Sequence, residues 1–330
     1  MKTTLKIVIT VFLIGAIVWG LGGLREVGVQ ILRINPLYII PILLLFIVDR
    51  GIMTFKWGLL LRGRGIGLPF FRGMMIYCAS AVWGLFLPST VGADAIRAYC
   101  TSRTGIDSRE VVASIIVERF LGFLSALLLA VMSIVLLTHL GTLRHQAMFV
   151  WLLGGGMLLG AVLLFAATVS QRVFGFLHDR ILSGFRHNRI AGKLREFHET
   201  YRSFTVDRRN IATFFGLTLV EQLVPIFDSW LIAKGMGIEA GLLYFAAALP
   251  LALLISRIPI SIDGLGVFDG IFILLMSMAG LSAAQAAAIA ILGRILQAIA
   301  LIPWWIAYVI SHRNLRVPQP LGVESRSSVG

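Results

Sequence analysis

The stretch RIPISIDGLGVFDG, from Arg257 to Gly270, interrupts a hydrophobic segment that would otherwise continue as a membrane helix. A second interruption, LPSTVGADAIRAY, runs from Leu87 to Tyr99. Backbone that leaves helical geometry at membrane depth exposes unpaired N–H and C=O groups, each of which costs several kcal/mol in hydrocarbon. Such breaks persist only where protein or a water-filled cavity receives these groups. A pair of them, one in each half of a chain, indicates a transport site.

The composition around the two breaks is that of a polytopic membrane protein. Of the 330 residues, 58% are hydrophobic and 14% are charged, and the mean hydropathy is +0.90. Apolar stretches recur along the chain, each with the roughly 20 residues that cross a bilayer core of about 30 Å. We therefore predict an all-α integral membrane protein of roughly six to eight spans. Its single transmembrane domain would cover residues 1–313, and a disordered cytoplasmic tail would cover residues 314–330.

The net charge of +13 arises from 29 Lys and Arg against 16 Asp and Glu. The basic residues lie mainly in loops between spans, where they orient the chain in the membrane. We therefore expect no nucleic-acid partner, and interaction with anionic lipid headgroups is a compatible second use of the charge. The sequence contains no Walker A motif, G-x-S-x-G elbow, H-E-x-x-H motif or paired-Cys spacing. We accordingly expect no enzyme activity, no metal site and no cofactor.

The positions of the basic residues predict the topology. The first span follows Lys2 and Lys6 and is interpreted as a signal-anchor with a cytoplasmic N-terminus. The very basic segment 171–210 should be cytoplasmic, and its apolar spacing predicts an amphipathic helix against the membrane or against the protein's own helix ends. The first broken segment then enters from the cytoplasm and the second from outside. Two opposed re-entrant hairpins indicate an inverted repeat.

The first break combines a helix start with a pair of opposite charges. Pro88 removes a backbone donor, and a new helix begins at Ala93 or Asp94. The N-terminus of that helix would suit an anion, because its N–H groups are free. Asp94 and Arg97 are three residues apart and can form a salt bridge. That pair either belongs to a site or only stabilises the hairpin.

The second break has a similar character. Pro259 ends one half-helix, Gly264 and Gly266 bracket a tight turn, and Asp263 and Asp269 flank it. Helix-breaking residues and acids inside an apolar stretch are expected only where they face a cavity or other protein groups. The turn is therefore predicted to line the same site as the first break.

Further charges lie within the predicted spans. Arg257 precedes the second break and could meet a phosphate or balance its acids. Glu118 and Arg119 are adjacent, so they point to different faces and each needs its own partner. Arg294 lies in an apolar segment with Gln297 as its one polar neighbour within a helical turn. It should therefore pair with an acid, a backbone carbonyl or a bound anion in the protein interior.

Two groups of charges admit a simpler explanation. Glu221 and Asp228 lie on one helix face, about 10 Å apart along the axis. They could line a cavity, relay protons or neutralise the arginines of the other spans. Asp49, Arg50 and Lys56 interrupt the second span. Local pairing of the first two and snorkelling of Lys56 to the membrane surface account for them.

Three regions of the chain resemble a known family. LPSTVGADAIRAY, VERFLGFLSALL and PISIDGLGVFDGIFILLMSMAGLSAAQAAAIAILGRILQ are similar to the signature regions of the lysylphosphatidylglycerol synthase transmembrane-domain family. That family includes the flippase-like part of the multiple peptide resistance factor. In the third region the matching positions are Pro259, the turn at 263–266, Asp269 and Arg294. Two positions depart from the pattern, because Asp263 replaces a Gly and Asp269 replaces a Glu.

The resemblance implies movement of an amphipathic lipid, either a phospholipid or an isoprenoid-linked intermediate, between the leaflets of a bacterial or archaeal cytoplasmic membrane. It does not imply aminoacyl transfer, because the soluble domain for that step is not in this sequence. The arginines would neutralise an anionic headgroup, and the acids would balance the arginines in the empty site. The expected substrate-binding residues are Asp94, Arg97, Glu118, Arg119, Asp263, Gly264, Gly266, Asp269 and Arg294.

Two other functions fit the same residues. A proton-coupled transporter of a small solute would use Glu221, Asp228 or Glu118 as its proton carrier. An accessory membrane subunit would present lipid to a separate lipid-modifying enzyme, and a homo-oligomer is compatible with any of the three functions. A lateral opening to lipid would favour lipid translocation, and a cavity closed to lipid would favour the solute.

Overall fold

The computed structural model describes most of the helical bundle. The described residues are 3–20, 25–84, 90–140, 199–204, 206–257, 261 and 264–313, with short helical pieces at 155–156, 159–160 and 162–163. Within these ranges the chain forms helices and turns and no strands, as the sequence predicts. The predicted tail at 314–330, most of segment 171–210, and the site residue Asp263 lie outside the described residues.

The helices of the described ranges are, in chain order, α1 Thr3–Gly20, α2 Arg25–Leu32, α3 Ile39–Arg62, α4 Phe70–Gly84, α5 Thr90–Ser102, α6 Ser108–His139, α7 Arg208–Gly235, α8 Leu242–Ser256, α9 Val267–Met278 and α10 Ala283–Arg313. Four of them, α3, α6, α7 and α10, are long and apolar enough to cross a membrane. The protein is thus an all-α integral membrane protein.

Several helix termini meet at one end of the bundle, here called the basic end. Arg64, just after α3, forms a 2.9 Å ion pair with Glu110 in the first turn of α6. Gly63 lies against Asn210 at the start of α7. Asp207 caps α7 by accepting hydrogen bonds from the backbone N–H groups of its first turn. The α3 C-terminus and the α6 and α7 N-termini therefore share this end.

The first hairpin, α4 and α5, enters the bundle from the basic end and returns to it. With 15 and 13 residues, its arms are about 22 and 20 Å long at 1.5 Å per residue, too short to cross a core of about 30 Å. The arms touch near the tip, where a Cβ at Gly84 would lie only 2.6 Å from the Cβ of Ala93. The re-entrant geometry predicted for this segment is therefore present.

The second hairpin, α8 and α9, enters from the opposite end. The α7–α8 turn and the α9–α10 turn lie side by side there and share one surface cleft. At the tip, Gly264 and Gly266 have φ values of 70° and 80°, which glycine adopts without the steric cost of a Cβ. The sequence span–hairpin–span thus occurs twice, in α3–α6 and α7–α10, with opposite directions. This is the layout of an inverted repeat.

The tip of the second hairpin packs tightly against α1, which leads to a stability prediction. A Cβ at Gly266 would lie 2.7 Å from the Cβ of Leu13, whereas a Cβ at Gly280 (φ 95°) would meet nothing within 4 Å. Both G266A and G280A force alanine into left-handed backbone, at about 1–2 kcal/mol, but only G266A also displaces α1. We expect G266A to lower the thermal unfolding midpoint clearly more than G280A. Equal losses would show that the contact with α1 adds nothing.

Both hairpin tips reach the middle of α6. α5 runs antiparallel to α6, and Asp94 near its start bonds Arg119. α8 also runs antiparallel to α6, and Arg257 at its end bonds the carbonyl of Gly122. Arg119 and Gly122 are one helical turn apart, roughly 16–21 Å from the start of α6. The two opposed hairpins therefore end at nearly the same depth.

The apolar core explains how these helices hold their positions. The largest buried cluster joins α7 to α10 and includes Ile232, Phe245 and Phe272. Small buried residues on α10, such as Ala286 and Ala288, allow close helix packing of the kind common in membrane proteins. A second cluster receives Tyr201 and Phe204. That part of the predicted amphipathic stripe packs against the protein's own helices rather than against lipid.

Candidate functional site

The place where the hairpin tips meet α6 is here called the hairpin junction and comprises Asp94, Arg119, Gly122, Gln222 and Arg257. Arg119 holds Asp94 through two hydrogen bonds of 2.8 Å, from Nε and Nη2. The guanidinium end of this pair is open, because the Arg119 side chain is 58% exposed. The pair therefore links α5 to α6 and still leaves one face of a cation accessible.

The Gly122 carbonyl connects the second hairpin to the junction. It accepts hydrogen bonds from Arg257 Nη1 at 3.0 Å, Gln222 Nε2 at 3.2 Å and Ser125 Oγ at 3.0 Å. Arg257 is exposed, and in the part of the chain that the structure describes no carboxylate lies within ion-pairing distance of it. This guanidinium is thus a cation at mid-bundle depth whose partner is a neutral carbonyl.

Arg97 lies in an enclosed cage instead. Its guanidinium carbon lies 5.0 Å from the ring centroid of Trp57 and 4.6 Å from that of Tyr77, and the residue is only 2% exposed. Nη1 lies 2.9 Å from Glu118 Oε2, a close ion pair without hydrogen-bond alignment, and Nη2 lies 3.4 Å from Asp94. Tyr77 Oη donates to Glu118 Oε1 at 2.9 Å. The cage fixes α5 against three other helices.

Glu118 and Arg119 therefore each have a separate partner, as their adjacency in the sequence predicts. The expectation that Arg97 contacts a headgroup does not agree with this geometry, because the aromatic rings and Glu118 enclose it. Arg97 acts as a positioning residue for Asp94, which in turn orients Arg119. The exposed cations of the junction are Arg119 and Arg257.

The second group of predicted site residues lies on α9 and α10. Arg294 Nη2 lies 3.0 Å from both carboxylate oxygens of Asp269 and stacks over the ring of Phe268 at 5.5 Å. Asp269 also accepts a 2.9 Å hydrogen bond from the backbone N–H of Gly266, so it caps α9. The predicted interior partner of Arg294 is thus confirmed.

Among the residues that the structure describes, the two groups share no ion pair. Each acid that the structure describes here is bonded within its own group, and the link between the hairpins is instead the hydrogen bond from Arg257 to Gly122. Gly264 contributes the turn, and a Cβ at this position would lie only 3.0 Å from the Cβ of Ser256. No group of three His, Cys, Asp or Glu side chains within the described ranges could hold a metal ion.

The charges between α3 and α7 form a buried polar seam. Asp49 pairs with Arg50 at 2.6 Å, the local pairing that the sequence predicts. Lys56 does not snorkel, which corrects the sequence prediction. It is buried, lies 2.6 Å from Glu221 and 3.3 Å from Thr218, and stands 5.1 Å over the ring of Phe214. Glu221 is therefore ion-paired with Lys56, and it acts on the junction cation Arg257 only through longer-range electrostatics.

Sequence reasoning did not include two junction residues among the expected site residues. Arg257 was noted as near the second break, and its place directly after the apolar run of α8 was the signal that a cation lies at this depth. Gln222 lies within an apolar span, where an amide needs a partner. Its partner could not be derived from spacing, because Gly122 is far away in the sequence.

The fold and the junction define a class: a polytopic helical membrane protein with two opposed broken hairpins that meet at mid-depth. The chain belongs to the family described as lysylphosphatidylglycerol synthase TM region, whose sequence model matches residues 4–304. It is also similar to a UPF0104 membrane protein of Methanothermobacter thermautotrophicus, with 24% identity over 313 residues, 89% of this chain and 91% of that protein. The family resemblance inferred from the three signature regions is confirmed.

Proposed function

We propose that this protein moves a lipid with an anionic headgroup between the two membrane leaflets. The headgroup passes through the hairpin junction while the hydrocarbon tails stay in the bilayer. The observation that supports this most directly is Arg257, an exposed cation at mid-bundle depth with a carbonyl and no acid as its described partner. A cation facing hydrocarbon at that depth costs at least about 2.5 kcal/mol. An anionic ligand removes that cost.

The chemistry of the junction suits a phosphate-containing headgroup. Arg119 belongs to α6, and Arg257 bonds that helix at Gly122, three residues further on and on the same face. Guanidinium groups bind phosphate oxygens through paired hydrogen bonds and lose less hydration than ammonium groups. In the structure Asp94 holds Arg119. An arriving phosphate competes with Asp94 for that guanidinium, which makes binding reversible, as transport requires.

The exposure of the junction favours a lipid over a small soluble solute. Arg119 and Arg257 are both exposed on the described helices rather than enclosed by them. A site open to the side allows tails to remain in the membrane while the headgroup moves. A solute carrier would instead surround its substrate, since an opening to hydrocarbon would strand a polar molecule.

The test is a leaflet-exchange assay with the purified full chain in proteoliposomes. Tail-labelled phosphatidylglycerol and phosphatidylcholine supply a matched pair that differs in headgroup charge, and a polyprenyl phosphate extends the panel. We expect the protein to accelerate exchange of at least one anionic lipid above protein-free vesicles. Acceleration of none of the lipids would overturn the proposal. Exchange that appears only after a partner enzyme is added would favour the accessory-subunit function instead.

The proposed orientation places the basic end in the cytoplasm. Arginines at or beside helix termini dominate that end, including Arg62, Arg72, Arg103 and Arg209, and the positive-inside rule assigns such an end to the cytoplasm. α1 begins and α10 ends there, so both termini of the domain would be cytoplasmic. The membrane would be the bacterial or archaeal cytoplasmic membrane, as the family resemblance implies.

A labelling experiment checks this orientation. Cys78 and Cys100 are buried and are replaced with alanine. Single cysteines are then introduced by S108C at the basic end and E239C in the α7–α8 turn. An impermeant maleimide should label E239C in intact cells, and S108C only after permeabilisation. Labelling of both from the same side would contradict the opposed-hairpin topology, and the reverse pattern would contradict only the orientation.

A further inference from the structure

The polar seam between α3 and α7 has a defined register. The two helices are antiparallel: Tyr38 lies against Gly235, Gly63 lies against Asn210, and Lys56 pairs with Glu221 between them. Asp49 is seven residues before Lys56, and Asp228 is seven residues after Glu221. Seven residues are close to two helical turns, so both acids keep the face of the existing pair. The register therefore places Asp49 opposite Asp228.

Asp228 lacks the partners that the other buried charges have. It is only 3% exposed, and its Oδ1 atom is buried without a hydrogen-bond partner among the described residues. Asp49, in contrast, is held by two hydrogen bonds from Arg50, at 2.6 and 2.9 Å. An ionised carboxylate without a partner in an apolar interior is very costly, and a nearby negative charge increases the cost.

We propose that Asp228 is a proton-binding site that couples lipid movement to the proton gradient, and that it is protonated in the conformation described here. Binding takes a proton from water on one side of the membrane and forms the O–H bond of the carboxylic acid. Release returns that proton to water on the other side. This inference rests on the proposed function for its coupling, whereas the proton site itself does not.

The charged groups around Asp228 support a proton rather than a fixed counter-ion. On α3, Asp49 and Arg50 are close enough to act on it electrostatically, but Arg50 is already bonded to Asp49. On α10, Arg294 is bonded to Asp269. α8 has no charged residue before its C-cap, Arg257, and the turn at 36–38 has none. On α6 the half beyond Gly122 has only His139, at the far end of the helix.

The link between the proton site and the hairpin junction is α7 itself. Gln222 of α7 donates to the Gly122 carbonyl within the junction, and Asp228 lies roughly 9 Å further along the same helix. Pro225 lies between them, inside the helix. Proline removes a helical hydrogen bond and makes a bend possible at that point. A change of charge at Asp228 can therefore alter the position of Gln222 relative to α6.

Infrared spectroscopy of the purified full chain tests the proton site without a lipid substrate. We expect a protonated-carboxyl C=O band that weakens as the pH is raised, that is lost in D228N and that is retained in E221Q. Glu221 is the matched control, because it lies on the same helix and is ionised against Lys56. A band unchanged in D228N would overturn the proposal. So would a band removed by sodium ions at constant pH, which would indicate a cation site.

Leaflet exchange under a pH gradient tests the coupling. With one proton per lipid, a gradient of one pH unit changes the steady-state lipid distribution by up to about tenfold, or about 1.4 kcal/mol. D228N should redistribute no lipid in response to the gradient, and D228E should restore the response. If D228N does not assemble, the infrared spectrum of D228E takes its place. A C=O band at a frequency different from that of the wild type assigns the band to Asp228, and a band at the wild-type frequency overturns that assignment. If the wild-type protein exchanges no lipid, the proposed transport function is refuted. The infrared experiment then decides independently whether Asp228 binds a proton.

Discussion

Replacing Arg257 with alanine is expected to reduce leaflet exchange of an anionic lipid by about ten- to a hundredfold. The reason is the loss of an exposed guanidinium that bonds only the Gly122 carbonyl in the described structure. Hydrogen bonds to charged groups contribute about 1.5–3 kcal/mol, and each 1.4 kcal/mol corresponds to a factor of ten. The measurement is the initial exchange rate in proteoliposomes at equal protein content.

Two further variants separate a specific effect from a general loss of positive charge. R103A removes an exposed arginine at the basic end, next to Tyr99, and should leave the exchange rate within about twofold of the wild type, since surface charges contribute little. R257K keeps the charge but not the paired donors, so its rate should fall between those of the wild type and R257A. A well-assembled R257A that exchanges lipid at the wild-type rate would exclude the junction as the headgroup path.

The hairpins could be predicted from the sequence because their causes are local. A proline, a glycine pair and an acid within one apolar stretch are sufficient to break a membrane helix wherever it packs. The Asp269–Arg294 pair could be predicted in part for a related reason. Arg294 has no acidic residue near it in the sequence, so any folded state had to supply a partner from elsewhere. The identity of that partner needed the structure.

Partners that depend on helix register were not predictable in the same way. Lys56 pairs with Glu221 across 165 residues of sequence, and only the antiparallel packing of α3 and α7 brings them together. Without that register, the best explanation for a lysine in a span was snorkelling. The same limit applies to Asp228, because the register places Asp49 opposite it on α3 and the nearby Arg50 is already bonded to Asp49.

Arg97 shows how an aromatic environment changes the role of a charge. From the sequence it was a cation at a helix break and therefore a candidate for headgroup binding. Trp57 and Tyr77, which enclose it, come from α3 and α4, and their rings face Arg97 only once those helices have packed. Cation–π contacts in such desolvated sites contribute about 2 kcal/mol, so the cage is a structural element.

The second large effect is therefore expected on stability. R97A leaves Glu118 buried with Tyr77 as its one donor among the described residues, and it leaves a void between two aromatic rings. Removal of one partner from a buried ion pair costs about 3–5 kcal/mol. We expect a marked fall in the thermal unfolding midpoint and in the yield of monodisperse protein, measured by fluorescence-detected size exclusion after heating. Exchange activity should fall with the folded fraction.

A double variant distinguishes this structural role from direct headgroup contact. R97M combined with E118Q removes both charges at similar volume. Replacement of a buried ion pair by hydrophobic residues is often neutral for stability, and the glutamine keeps an oxygen that can accept the hydrogen bond from Tyr77. We expect it to recover most of the midpoint lost in R97A. It should also retain exchange, because Arg119 and Asp94 keep their own two hydrogen bonds when the longer contact from Arg97 is lost. A stable double variant that exchanges no lipid would show that the Arg97 charge acts in transport itself. If R97A has the same unfolding midpoint as the wild type, the cage contributes little to stability. Burial of Glu118 without the Arg97 guanidinium would then carry no measurable cost.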